Sequence, residues 1–276
     1  MKKIGIIINQ KKKGAADLFP KLRDWLLKRE FVVADSASSP VDTVLKDAEL
    51  VICLGGDGTL LSVADHMKEK AIPILGVNLG GLGFLTEVKE SEVFEELNSF
   101  FLGQAKIEER LMLACSVTNT QTKQVRRLIA LNDIVISREG LSRILRVEVQ
   151  VSKEKLTQFA GDGIIIATPT GSTAYSLSAG GAVVHPRLEA ILITPICPHA
   201  SSLRSMVVAA DEKISVKIQS GGASGKALLT ADGQENVEID DSYSIEVTRA
   251  NTSLQLVKSS KRSYFAALRE NFKFPA

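Results

Sequence analysis

"VICLGGDGTLL", residues 51–61, opens as an apolar strand and turns at once into a loop of three glycines. A glycine loop after a strand usually cradles phosphate with bare backbone N–H groups. Here a carboxylate, Asp57, stands in the middle of the loop, where an anion is expected to bind. The strand–loop–helix order puts Gly55, Gly56, Asp57, Gly58 and Thr59 at the carboxyl end of a strand, where open α/β sheets bind ligands. The loop is neither the dinucleotide fingerprint G-x-G-x-x-G nor a Walker loop, since no lysine follows the last glycine. The plainer alternative is a tight turn that needs glycine dihedrals, with Asp57 capping the next helix.

The flanking sequence sets this loop in a repeating pattern. "IGIII" (4–8), "FVVAD" (31–35), "LVICLGG" (50–56) and "IPILGVN" (72–78) read as strands. Between and after them run the helical patterns "ADLFPKLRDWLLKRE", "VDTVLKDAE", "GTLLSVADHMKEK" and "SEVFEELNSFF". In the first of these, Leu18, Leu22, Trp25 and Leu26 recur at helical spacing. Strands that are apolar throughout, separated by helices, predict a parallel sheet covered on both faces, an α/β domain over residues 1–104.

Beyond about Gly103 the texture changes. "RILRVEVQVS", "EKISVKIQS" and "SYSIEVTRA" alternate apolar and polar residues, the period of half-exposed, mostly antiparallel strands. Residues 105–258 are therefore expected to form a β-rich domain. The tail 259–276, with Tyr264, Phe265, Leu268 and Phe272 at helical spacing, is expected to be a closing helix on the first domain.

Composition narrows the class. Apolar residues make up 45% and charged residues 24%, and 34 Lys plus Arg against 32 Asp plus Glu leave a net charge of +2. That is too small a charge to argue for nucleic acid or an acidic membrane. Lys11, Lys12 and Lys13 read as a solvated turn. The three cysteines show no disulfide framework or zinc spacing, which favours a reducing, cytoplasmic setting. Cys53 and Cys197 lie in apolar stretches, where a thiol behaves as a small hydrophobe. The apolar run after Met1 is too short for a signal peptide, and nothing approaches a membrane span. His66, His185 and His199 lack metal-ligand spacing, so no protein metal site is expected.

Two further stretches carry chemistry. "NLGGLGFLTEV" (78–88) is a second glycine-rich crossing after the next strand, and two such crossings would line one side of a crevice. "GDGIIIATPTGSTAYSLSAGGAVVHP" (161–186) sets a hydroxyl-rich bend between an apolar strand and a double glycine, a segment able to bind a polar ligand closely.

These segments, with "ALNDIVISR" (130–138) and "PICPHASSLR" (195–204), occur in the order found in NAD kinases, and the chain resembles a bacterial-type member of that family over most of its length. The resemblance implies transfer of the γ-phosphoryl of ATP to the 2′-hydroxyl of the adenosine ribose of NAD, forming NADP. It implies Asp57 as general base toward that hydroxyl, beside the phosphate-loop residues Gly55, Gly56, Gly58 and Thr59. It assigns NAD contacts to Asp57, Gly58, Phe84, Asn132, Asp133, Arg143, Asp162, Thr173, Ala174, Tyr175, Ser178 and Gln234. Relatives often carry Glu where this chain has Asp133, and a basic residue where it has Ala160. Mg²⁺ or Mn²⁺ is expected to arrive with ATP, and a homodimer or homotetramer is expected. A diacylglycerol-type lipid kinase shares the GGDGT stretch, but its other glycine motif and a membrane patch are missing. A non-catalytic dinucleotide sensor would keep the binding residues and leave Asp57 idle. A dehydrogenase is disfavoured, since no G-x-G-x-x-G follows the first strand.

Overall fold

The computed structural model describes residues 2–67, 71–81, 83–138, 144–200, 202–219 and 226–273. The chain divides into two compact units, Met1–Glu109 with Leu254–Ala276, and Arg110–Ser253.

The first unit begins with β1 (Lys3–Ile8), α1 (Lys13–Leu27), β2 (Val32–Asp35), α2 (Val41–Leu45), β3 (Ala48–Gly55), α3 (Asp57–Ala64) and β4 (Pro73–Asn78). It continues with β5 (Val88–Lys89), α4 (Val93–Phe101) and β6 (Ile107–Arg110). The chain returns at its end to add β19 (Leu254–Val257) and α6 (Tyr264–Phe272). Among the described residues the sheet order is β2-β1-β3-β4-β19-β6, with β5 on β4. Strands β2, β1, β3, β4 and β19 run parallel.

Leu18, Leu22 and Leu26 of α1 and Val93 and Leu97 of α4 share one core with Ile4, Ile6, Leu50, Ile52 and Leu54. Val51, Cys53 and Ile74, facing the other way, are equally buried. Burial on both faces is why these strands read as unbroken apolar runs. Each such side chain contributes about 1.5–3 kcal/mol when taken out of water. Helix α1 keeps Pro20 on an exposed position, giving up one intrahelical N–H.

The chain leaves β1 through α1 toward β2 on one side, and leaves β3 through α3 toward β4 on the other. The carboxyl ends of β1 and β3 therefore form a topological switch point, the usual place for a ligand crevice. The GGDG loop occupies it.

The second unit comprises β7 (Leu113–Asn119), β8 (Val125–Ala130), β9 (Asp133–Arg138), β10 (Leu145–Val151), β11 (Glu154–Gly161), β12 (Gly163–Ala167) and the short helix α5 (Tyr175–Ser178). Then come β13 (Ala190–Ile196), β14 (Met206–Ala209), β15 (Ile214–Gln219), β16 (Ala227–Ala231), β17 (Glu235–Ile239) and β18 (Tyr243–Arg249). They build two antiparallel sheets, ordered β11-β10-β15-β18-β7-β8 and β14-β13-β12-β9-β16-β17 among the described residues. One core joins them: Leu113, Cys115, Val147, Val149, Val216, Ile245 and Val247 from the first sheet meet Ile134, Ile136, Ile164, Ile166, Ile191 and Leu229 from the second. Strand β12, read in the sequence as an apolar strand, is buried throughout and does not alternate. Its Ile165 and Ala167 face away from that core and pack with Val135, Val184 and Leu192 beneath the hydroxyl-rich segment. A strand covered on both faces loses its polar positions even in an antiparallel sheet.

The unit boundaries lie some residues away from the 104/105 and 258/259 junctions expected from texture. Strands β6 and β19 both belong to the first sheet, and Lys258 N donates to Lys106 O at 2.9 Å. Helix α6 starts at Tyr264, later than the tail pattern suggests. Ser260 is held away from it by its N–H and hydroxyl bonds to Glu96, and Ser263 caps the helix, its Oγ accepting from Ala266 N.

Candidate active site

In the first unit the two glycine segments meet at one carboxylate. Gly56 is the N-cap of α3, and no side chain caps that helix. Asp57 is its first residue, where a negative charge suits the helix dipole. Its side chain does not cap α3 but reaches the second glycine segment. Asp57 Oδ1 accepts from Leu85 N at 3.1 Å, Thr86 N at 2.9 Å and Thr86 Oγ1 at 3.0 Å, and Oδ2 accepts from Phe84 N at 2.8 Å. The carboxylate thus occupies an N–H nest of the kind that binds anions. This is why a negative charge is tolerated in a glycine loop: the second segment supplies donors to it. Gly83 makes the approach possible, since a Cβ there would lie 2.1 Å from Asp57 Oδ1.

Thr86 is fully buried, and its Oγ1 also accepts from Asn78 Nδ2 at 3.1 Å. Asn78 closes β4. Its amide donates to Gly81 O at 2.7 Å and accepts from Gly80 N at 2.7 Å, holding the start of the same segment. Across the switch point Asn9, just after β1, donates from Nδ2 to Thr59 Oγ1 at 3.3 Å. Gly58 is exposed beside Asp57. Phe84 is half-buried, with its ring 5.6 Å from Phe272 and 6.5 Å from Tyr264 of α6.

In the second unit a second carboxylate organises the expected ligand residues. Asp232, after β16 and at φ 51°, accepts from Leu131 N at 2.7 Å, Asn132 N at 2.7 Å and Asp133 N at 3.0 Å. It holds the entry to β9, and with it Asn132 and Asp133. Asn132 is half-buried, whereas the Asp133 side chain is 6% exposed. Burial, and then the neighbouring Asp232 charge, push the Asp133 carboxyl up from 3.8 to about 7. At neutral pH this group is as much an acid as a carboxylate, and it can donate a hydrogen bond as well as accept one.

The hydroxyl-rich segment divides into two sets. Thr168, Thr170, Ser172 and Ser176 are buried and serve the fold. Thr168 Oγ1 donates to Leu131 O at 2.6 Å, Ser172 Oγ donates to Pro169 O at 2.6 Å and accepts from Val184 N at 3.0 Å, and Ser176 pairs with Thr194 at 2.9 Å. Thr173 and Ala174 are half-buried, while Tyr175 and Ser178 are exposed. Asp162 pairs with Arg138, Nε to Oδ1 at 2.8 Å. Arg138 thus brings a basic group to Asp162 in a chain that has Ala160 two residues earlier. Gln234 is exposed on the turn after Asp232. Arg143 lies outside the described residues.

Sequence reasoning missed Thr86, Asn78, Asp232 and Arg138. Thr86 and Asn78 stand in a stretch already singled out, but a threonine or asparagine beside glycines gives no sign of its partner. One reading is corrected: Cys197 is exposed, at φ 44°, not a core thiol, because it sits just past the end of β13. Among the described residues no cluster of three or more His, Cys, Asp or Glu could hold a metal ion. No described helix is long and apolar enough to cross a membrane.

An NAD kinase from Archaeoglobus fulgidus, solved in complex with ATP, superposes with a TM-score of 0.80 at 26% identity, covering 98% of this chain and 99% of that one. A yeast NADH kinase solved with NADH shares the fold at a TM-score of 0.90 and 24% identity, covering 99% of this chain and 88% of the other. The ATP-NAD kinase N-terminal domain model matches residues 41–105 and the C-terminal domain model residues 131–259. The NAD kinase of Geotalea daltonii is 39% identical over 99% of each chain, and that of Trichlorobacter lovleyi 44% identical over 82% of this chain and 79% of its own. This chain belongs to the NAD kinase family.

Proposed function

We propose that this chain makes NADP by transferring the γ-phosphoryl of ATP to the 2′-hydroxyl of the adenosine ribose of NAD, with Asp57 receiving the hydroxyl proton. Family membership supports the reaction. The observation that carries the role of Asp57 is the unequal loading of its two oxygens. Among the described residues Oδ1 takes three donors, whereas Oδ2 takes one, Phe84 N–H, and keeps a lone pair for a hydroxyl.

In the reaction the ribose oxygen bonds to the γ-phosphorus, the bond from that phosphorus to the β,γ-bridging oxygen breaks, and ADP leaves. The hydroxyl proton passes to Asp57 Oδ2. Phosphoryl transfer has a loose transition state, so the carboxylate acts first by aiming the hydroxyl and takes the proton late. The divalent cation, Mg²⁺ or Mn²⁺, belongs to the ATP substrate and neutralises charge on its phosphates. Asn132, Asp133 and Tyr175 are proposed contacts to NAD, supported by their positions in the second unit and by the family resemblance. A cytoplasmic homodimer or homotetramer completes the reading.

The test is an assay with NAD, ATP and Mg²⁺, reading NADP through an NADP-specific dehydrogenase, beside Asp57→Asn. NADP from the wild type and a loss of about 10²-fold or more in the variant are expected. No NADP from folded wild type would overturn the reaction. NADP from both proteins at similar rates would overturn the role of Asp57.

A further inference from the structure

We infer that Thr86 is a positioning residue for the phosphoryl transfer, its hydroxyl orienting the Asp57 carboxylate so that Oδ2 faces the substrate. Thr86 acts in this way only through Asp57 as the proton acceptor proposed above.

The direction of the hydrogen bonds is set by the chemistry of each group. Asn78 cannot exchange its amide ends freely. Its oxygen accepts from Gly80 N, and its nitrogen donates to Gly81 O at 2.7 Å, so toward Thr86 the same nitrogen is a donor, its second proton nearer Oγ1 at 3.1 Å than the Thr86 carbonyl at 3.4 Å. A hydroxyl has one proton to give. With Asn78 occupying an acceptor position on Thr86, that proton goes to Asp57 Oδ1, and an ionised carboxylate can only accept it. The chain from Asn78 through Thr86 to Asp57 therefore runs one way.

A carboxylate rotates about a broad, two-fold terminal torsion, so its two oxygens are not distinguished by the side chain itself. The donors distinguish them. The Thr86 side-chain bond is the third on Oδ1, and it comes from a group with no exposure to water. A bond to a charged acceptor is stronger than one between neutral groups. The three backbone donors hold the carboxylate in the nest, and the hydroxyl loads Oδ1 until only Oδ2 has room for the ribose hydroxyl.

The experiment compares kcat and KM of the full-length protein for Thr86→Val, Thr86→Ser and Thr86→Ala, alone and in an Asp57→Asn background. Thr86→Val keeps the shape and removes the hydroxyl. It is expected to lower kcat about 10- to 100-fold, the span of a lost hydrogen bond to a charged group, while KM for NAD and ATP changes less than about 3-fold. Thr86→Ser keeps the bond and is expected to stay within about 3-fold of the wild type in kcat. In the Asp57→Asn background the Thr86→Val change is expected to cost nothing further, because both residues act through one group. If Thr86→Val does not fold, Ser against Ala decides, since both lack the γ-methyl and differ only in the hydroxyl. Wild-type kcat in the hydroxyl-free variant, or a loss of the same size in both backgrounds, would overturn the inference. An Asp57→Asn protein as active as the wild type would instead overturn the role of Asp57 itself.

Discussion

Replacing Asp133 by asparagine tests the carboxylate of the second unit directly, through the pH dependence of stability. In the folded protein burial and the Asp232 charge hold the Asp133 carboxyl at about 7, against an ordinary 3.8. The folded state therefore keeps a proton that the unfolded chain releases between those values. Stability attributable to this group is fully present below about pH 4 and is lost as pH rises through 7. Three pH units at 1.36 kcal/mol each give a total loss of ~4 kcal/mol above pH 8. At pH 5 the unfolded chain is already mostly ionised, so part of that loss is present, and the larger part, ~2–3 kcal/mol, develops by pH 8.5. A side-chain amide does not ionise, so Asp133→Asn should lack this slope. The assay is urea unfolding of both proteins at pH 5 and 8.5, comparing the stability difference between them, in which titrations independent of Asp133 cancel and that of its neighbour Asp232 does not. The variant should gain ~2–3 kcal/mol on the wild type between the two values. Parallel behaviour, within ~0.5 kcal/mol, would mean that Asp133 is solvated or ion-paired in the folded state and would refute the reasoning.

Three further outcomes follow from particular contacts. Glu87 and Lys258 form a buried ion pair in the first unit, so Lys258→Met strands a buried charge and should cost ~3–5 kcal/mol, much of it recovered in the Glu87→Gln, Lys258→Met double variant; thermal unfolding of the four proteins measures this. In Gly171→Ala the new Cβ would meet the backbone oxygen of Asn132 at 2.1 Å, and a loss of ~2 kcal/mol or more with displaced Asn132 resonances is expected, while an unperturbed variant would contradict the packing. A thiol reagent should titrate one cysteine in the native protein and three in denaturant, because burial pushes Cys53 and Cys115 up to about 12 and Cys197 is exposed; fast labelling of two or three thiols would show that the core opens.

The elements differed in how much of them could be read in advance. Strands β1, β3 and β4 were legible because parallel strands covered on both faces leave unbroken apolar runs, and β10, β15 and β18 because one core face imposes alternation. β12 follows the first rule inside an antiparallel sheet. Its unbroken apolar run reflects a second cover, the buried half of the hydroxyl-rich segment, which belongs to no regular element that a period could reveal. The division within that segment was equally hidden, since Thr168 and Ser172, which serve the fold, look in sequence like Thr173 and Ser178.

By itself the sequence determined the alternation of strands and helices in the first hundred residues, the β-rich texture beyond them, the glycine segments after β3 and β4, and the residue types able to handle a phosphate and a hydroxyl. These depend on local conformational freedom and on the period of burial, which neighbours along the chain record. Only the tertiary structure decided what each polar group touches. Asp57 takes its donors from residues 27 to 29 positions away, and Asp232 holds residues about a hundred positions away. Hydrogen bonds reach about 3 Å, and two residues so far apart in the chain come within that reach only when sheet register brings them together. The carboxylate in the glycine loop was therefore visible as an oddity in the sequence, and its explanation lay in the second segment that folds against it.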